Sequence, residues 1–317
     1  MRLERNVIIE IAGRCNARCP WCSTGRATRE GNPVRGGFMP PERLDAVLDR
    51  LAAMGLVLEN LHFELFNWGE PLLHPQLPGI IEVMNRRGLH YRLSTNASLV
   101  PDLNGVSMRG LHELVISMPG FSQSSYDAIH GFSFQRILNN LNELRDRLKA
   151  TGFQGLAQMS FHVYQFNIHE IPDAARYCQA NGLRFSPYLA ALCHLPACMD
   201  LLSGRLDGPQ LAAVSRHLLL SHLDAMLRQR PRDWQCWQQR KLVLDEEGRF
   251  LTCCLLPRNH PEYSLGSVFD LDLAQAMERK TRQTVCGPCL ATGAAYWLLN
   301  PVRPPYADPS LFSPRTS

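Results

Sequence analysis

Apolar residues in the first 190 positions fall into short β-rich runs separated by longer amphipathic ones. The short runs are NVIIEIA, LHFELF, HYRLST, HELVIS, QMSFHVY and GLRFSPYL. Their length and β-branched content read as strands. Between them lie patterns of helical period: PPERLDAVLDRLAAM, LPGIIEVMNRRG, VPDLNGVSMRG, SFQRILNNLNELRDRLKA and IHEIPDAARYCQANG. Pro41 suits a first helical turn, and Gly88 and Gly182 stand where helices end. Six strands joined by helices predict an α/β fold, a partial (β/α)6 barrel of parallel strands that collects ligands at the strands' carboxyl ends.

From about residue 207 the pattern changes. One helix is expected over GPQLAAVSRHLLLSHLDAML, then a link RQRPRDWQCW, then a hairpin KLVLDEEGRFLTCC turning at Gly248. The expected divisions are a barrel over 1–206, a helical linker over 207–235, a small C-terminal domain over 236–300 and an extended, Pro-rich tail over 301–317.

Bulk properties then narrow the class. The 317 residues are 45% hydrophobic and 20% charged, enough for a sizeable core. A net charge of +4 without a polybasic tract gives no case for nucleic acid. Only Lys149, Lys241 and Lys280 are lysines, a skew attributable to genomic base composition. No apolar run reaches the ~18 residues of a membrane span and the N-terminus lacks a signal sequence's apolar stretch, so a cytoplasmic protein without membrane partners is expected.

In that setting the 11 cysteines argue for metal or redox chemistry over disulfides. Cys178, Cys193 and Cys198 stand apart and read first as core residues. Cys15, Cys19 and Cys22 crowd into GRCNARCPWCSTGR, at the carboxyl end of the first strand. A closed zinc site takes four protein ligands, whereas three cysteines on one loop leave a position open, as a catalytic centre needs.

The spacing, with Trp21 before the third cysteine, resembles the CxxxCxxC signature of the radical S-adenosylmethionine (SAM) enzymes. In that family three cysteines hold a [4Fe-4S] cluster whose free iron binds SAM. The resemblance extends to FNWGEPLLHP, where Asn67, Trp68, Gly69, Glu70 and Pro71 stand in place of a Gly-Gly-Glu-Pro type motif, with Trp68 replacing its first glycine. Ser94, Thr95 and Asn96, and Ser117, fall at successive strand ends and resemble positions that hold SAM in relatives.

A second cysteine group, Cys236, Cys253, Cys286 and Cys289, resembles the twitch form of the SPASM-type auxiliary domain, implying a second [4Fe-4S] cluster. A zinc site with the same ligands is the other reading. Adjacent side chains on a strand point to opposite faces, so either Cys253 or Cys254 should be the ligand, with Cys253 favoured.

The resemblance implies an oxidoreductase that makes a 5'-deoxyadenosyl radical and draws electrons from flavodoxin or ferredoxin. The chain begins almost directly with its first strand and shows no leader-peptide module. The expected partner is therefore a small molecule, and the expected reaction is dehydrogenation of a carbinol on a polyol, sugar or nucleoside. Maturation of a short peptide and redox-neutral epimerisation are the alternatives. Polar residues at period two on the strands (His62, Glu64, His162, Tyr164) could line the barrel, and Glu64 and His162 are the expected catalytic bases.

Overall fold

The computed structural model describes residues 3–32, 36–256 and 261–302. Its barrel half runs β1 (Asn6–Ile9), α1 (Ser23–Arg29), α2 (Pro41–Ala53), β2 (His62–Glu64), α3 (Leu77–Arg86), β3 (Tyr91–Thr95) and β4 (Leu111–Met118). It continues with α4 (Gln123–Ala128), α5 (Phe134–Ala150), β5 (Leu156–Val163), α6 (Ile171–Ala180) and β6 (Arg184–Leu189). The rest comprises α7 (Leu195–Leu202), α8 (Gly208–His217), α9 (Leu223–Arg228), β7 (Leu242–Leu244), β8 (Arg249–Leu251), β9 (Ser264–Ser267), α10 (Leu273–Thr281), α11 (Cys286–Thr292) and α12 (Ala294–Leu299).

One open sheet runs through the molecule in the order β6-β5-β4-β3-β2-β1-β7-β8-β9. The six expected strands are parallel neighbours. The C-terminal hairpin continues this sheet: β7 pairs in parallel with β1, Val7 opposite Leu242, and β8 and β9 follow antiparallel. Gly248 makes the hairpin turn with φ +78, a left-handed backbone that glycine accepts without strain.

Alternation along the strands sorts the two faces. Val7, Ile9, Phe63, Leu65, Tyr91 and Leu93 are buried in one core with Leu44, Val47, Leu48, Ile80 and Met84 of α2 and α3. Their neighbours Ile8, Glu64, Arg92 and Ser94 therefore face the other, concave side. Each large apolar side chain buried on the helical side contributes about 1.5–3 kcal/mol, which makes a one-residue slip prohibitive.

Two expected helices differ. Residues 100–110 form turns instead of a helix, because Pro101 restricts the backbone and Gly105 adopts φ +75. The single helix expected over 208–227 is broken between α8 and α9, where Leu218 is extended. Among the described residues no helix is long and apolar enough to cross a membrane. Residues 303–317 of the expected tail lie outside the described residues.

Candidate active site

Cys15 and Cys19 lie on the loop leaving β1, and Cys22 is the residue before α1. Burial pushes the Cys15 thiol up to about 12, with Glu70 and Cys22 adding to the effect. Burial, then repulsion from Cys22 and Cys15, holds Cys19 well above its ordinary value. Cys22 is also raised by burial, but the backbone N–H groups of Gly25 and Thr24, at the start of α1, oppose the shift. Three thiols this buried and this close cannot all ionise unless a cation shares their charge, so the donor set fits an iron–sulfur cluster. Gly25 permits the packing, since a Cβ there would lie 2.5 Å from Cys19 N.

The loop after β2 is anchored from below by Glu10, which the sequence reading passed over. Its Oε1 accepts from the backbone N–H groups of Trp68 (2.8 Å) and Gly69 (2.7 Å). Gly69 lies so close to the cysteine loop that a Cβ would stand 1.7 Å from Ala12 O. A buried acid on a strand otherwise apolar at that point was the available signal. Trp68, in the place of the motif's first glycine, brings a hydrogen-bonding ring. Its Nε1 donates to Leu256 O at 2.9 Å, tying this loop to the segment after the hairpin.

Glu70 is spent inside the protein. Its carboxylate accepts from Leu72 N (3.0 Å), Thr95 Oγ1 (2.7 Å) and Asn96 N (2.7 Å), which clamps the loop and the Pro71–Leu73 turn onto the end of β3. Burial raises its pKa to about 7 despite those donors. Asn96 donates to Asn16 Oδ1 at 3.0 Å and lies 3.8 Å from Cys15 Sγ. Trp21 packs edge-on against His217, and Trp21 Nε1 and Asn67 Nδ2 are buried without a partner among the described residues. Donors left orphaned beside the cysteine loop fit a polar ligand there.

Ser94 and Ser117 lie on the concave face, and Ser117 Oγ is 3.4 Å from His162 Nε2. Burial lowers His162 to about 4, so it is a neutral imidazole at neutral pH. Tyr164 lies beyond the strand and stacks on Phe166. Glu64 is ion-paired on both oxygens. Its Oε2 pairs with Lys241 Nζ at 3.0 Å and its Oε1 with Arg92 at 3.3 Å, and Arg92 also pairs with Glu113 at 2.6 Å.

The second cysteine group converges. Cys236, Cys253, Cys286 and Cys289 line one cavity together with Gln238, Lys280 and apolar side chains such as Leu195 and Val285. Cys253 and Cys254 lie just past β8, in the turn, so strand alternation does not separate them. Packing does: Cys254 rests on Ile8, Val243 and Leu251. Gln238 borders the cavity with its Oε1 3.9 Å from Cys253 Sγ, and its Nε2 is buried with no partner among the described residues. Among the described residues no group of three or more His, Cys, Asp or Glu is spaced to hold a single metal ion. Cys178 and Cys198 are buried core residues, as their isolation implied, whereas Cys193 is exposed.

Comparison with known proteins bears on this site. The model of the Radical SAM superfamily matches residues 9–178, more than half of the chain. The PqqA peptide cyclase of Xanthomonas oryzae pv. oryzae (strain MAFF 311018) is 26% identical over 174 residues, 53% of this chain and 42% of the relative. That of Bradyrhizobium diazoefficiens is 26% identical over 177 residues, 53% and 41% of the two chains. The chain thus spans about two fifths of the length of these curated relatives. Among solved structures, Streptococcus suis SuiB bound to precursor peptide SuiA is similar with a TM-score of 0.57 and 14% identity, covering 90% of this chain and 66% of that one. Native anSMEcpe with bound AdoMet gives 0.55 and 14%, covering 88% and 82%. These two show the fold. The relatives' names overturn the expectation of a small polyol, sugar or nucleoside as partner, and with it the carbinol oxidation.

Proposed function

Because the chain belongs to the Radical SAM superfamily, we propose that it modifies a peptide, abstracting a hydrogen atom from one residue of a short precursor. The observation that carries this reading is the likeness to peptide cyclases over the part of the chain that bears the cysteine loop. Cys15, Cys19 and Cys22 hold a [4Fe-4S] cluster, and Trp21, Asn67, Gly69, Pro71, Ser94, Asn96 and Ser117 border the SAM beside it. When bound, the cluster and SAM supply a 5'-deoxyadenosyl radical.

The chain's own residues do the rest. Glu10 and Glu70 fix the 67–71 backbone from two sides, and Gly69 keeps it within van der Waals reach of the cysteine loop. His162, neutral and set against Ser117 on the concave wall, is the group available to take a proton from the substrate. Cys236, Cys253, Cys286 and Cys289 hold a second [4Fe-4S] cluster, supported by their shared cavity.

The test is anaerobic co-expression with each short reading frame flanking the gene, followed by mass spectrometry of the peptides. One peptide should change in mass only with the intact enzyme, and deuterium at the reacting carbon should appear in 5'-deoxyadenosine. Turnover of a small polyol with every peptide left unmodified would sink the proposal.

A further inference from the structure

Lysine is rare in this chain, yet two of its three lysines are buried beside the second cysteine group. They differ in one respect. Lys241 is neutralised, with Nζ 3.0 Å from Glu64 Oε2 and 5.2 Å from the centre of the Trp237 ring. Lys280, 3% exposed in the last turn of α10, has no carboxylate partner among the described residues. Its Nζ donates to Lys241 O at 2.5 Å, which fixes its position, and its side chain lines the cavity with Cys236, Cys253, Cys286 and Cys289.

An ammonium taken out of water costs several kcal/mol unless an anion meets it. The groups that can meet it are the four sulfurs that line the cavity, Cys236, Cys253, Cys286 and Cys289, which carry negative charge as ligands of a cluster.

We propose that Lys280 is the charge that raises the reduction potential of the second cluster and so adapts it to accept an electron. This rests on the second-cluster reading. A four-thiolate cluster becomes more negative on reduction, and a fixed cation in an apolar cavity stabilises the reduced form more than the oxidised one.

The experiment uses the full-length chain with Cys15→Ala, Cys19→Ala and Cys22→Ala, reconstituted anaerobically with iron and sulfide, so that only the second cluster remains. Iron content and a redox titration followed by electron spin resonance are read for this parent and for added Lys280→Met, Lys280→Gln and Lys280→Arg. The neutral variants should shift the oxidised-to-reduced ratio about tenfold toward oxidised at the parent's midpoint, which is about 59 mV for a one-electron couple. Lys280→Arg should stay near the parent. If the neutral variants lose iron while Lys280→Arg keeps it, the same charge is being read through occupancy. Neutral variants that titrate with the parent, or loss of iron from all three Lys280 variants alike, would overturn the assignment. A parent that binds no iron removes the second-cluster reading itself, and the role of Lys280 with it.

Discussion

Gly69 and Glu70 show how much of the site is decided by single atoms. A methyl at Gly69 would stand 1.7 Å from Ala12 O, so Gly69→Ala must push the SAM-side loop and the cysteine loop apart. A displacement on the scale of 1 Å costs reactions about a hundredfold, and SAM cleavage by this variant should fall by at least that much while far-ultraviolet circular dichroism stays unchanged. Glu70 makes a pH prediction. Burial raises its carboxyl from 4.5 to about 7, so the folded chain resists its ionisation. Its contribution to stability is complete below about pH 4.5 and is lost as pH rises through about 7, an effect on the order of a few kcal/mol. Buried His162, lowered to about 4, works the other way, losing stability as pH falls below 6.5. The comparison with Glu70→Gln isolates the carboxyl. The difference in metal-free unfolding free energy between the two proteins should change across pH 4.5–7, and a constant difference would refute the shift.

At the scale of elements, the strands were legible because alternation and β-branched runs speak for themselves, and the cysteine loop because its spacing is local. The broken helix between α8 and α9 was hidden, since Leu218, Leu219 and Leu220 prolong the apolar pattern through a stretch where the backbone extends. The surroundings of Glu64 were hidden for a different reason. Period two put it on the concave wall, but Lys241, which neutralises it, lies 177 positions away. Trp68 likewise takes its role from Leu256. Alternation leaves one of Cys253 and Cys254 as the ligand but does not apply past the end of β8, and packing separates them: Cys253 lines the cavity and Cys254 lies against Ile8 and Val243. Cys253→Ala should abolish the second cluster's spin-resonance signal, and Cys254→Ala should retain it. The opposite pattern would make Cys254 the ligand.

Across the whole molecule, both cysteine groups hang on one sheet. Anaerobic reconstitution should load about eight irons per chain, and replacing Cys15, Cys19 and Cys22 together with Ala should leave roughly half and abolish 5'-deoxyadenosine formation. Full iron in that variant would contradict the assignment of the first site.

The pairing of β7 with β1 reaches further than the site. Strand β1 carries the first cysteine loop, yet one of its two flanks is filled by residues 242–244, made long after it. During synthesis that flank, with Val7, Ile8 and Ile9, is an unpaired apolar edge, and such edges recruit other chains. The barrel half is thus born without its last wall. A chain stopped after residue 206 should collect in aggregates, and adding residues 207–302 as a separate fragment during synthesis should recover part of it in the supernatant. Metal loading at the first loop then belongs after release from the ribosome, once the late strand has closed the edge on which that loop depends.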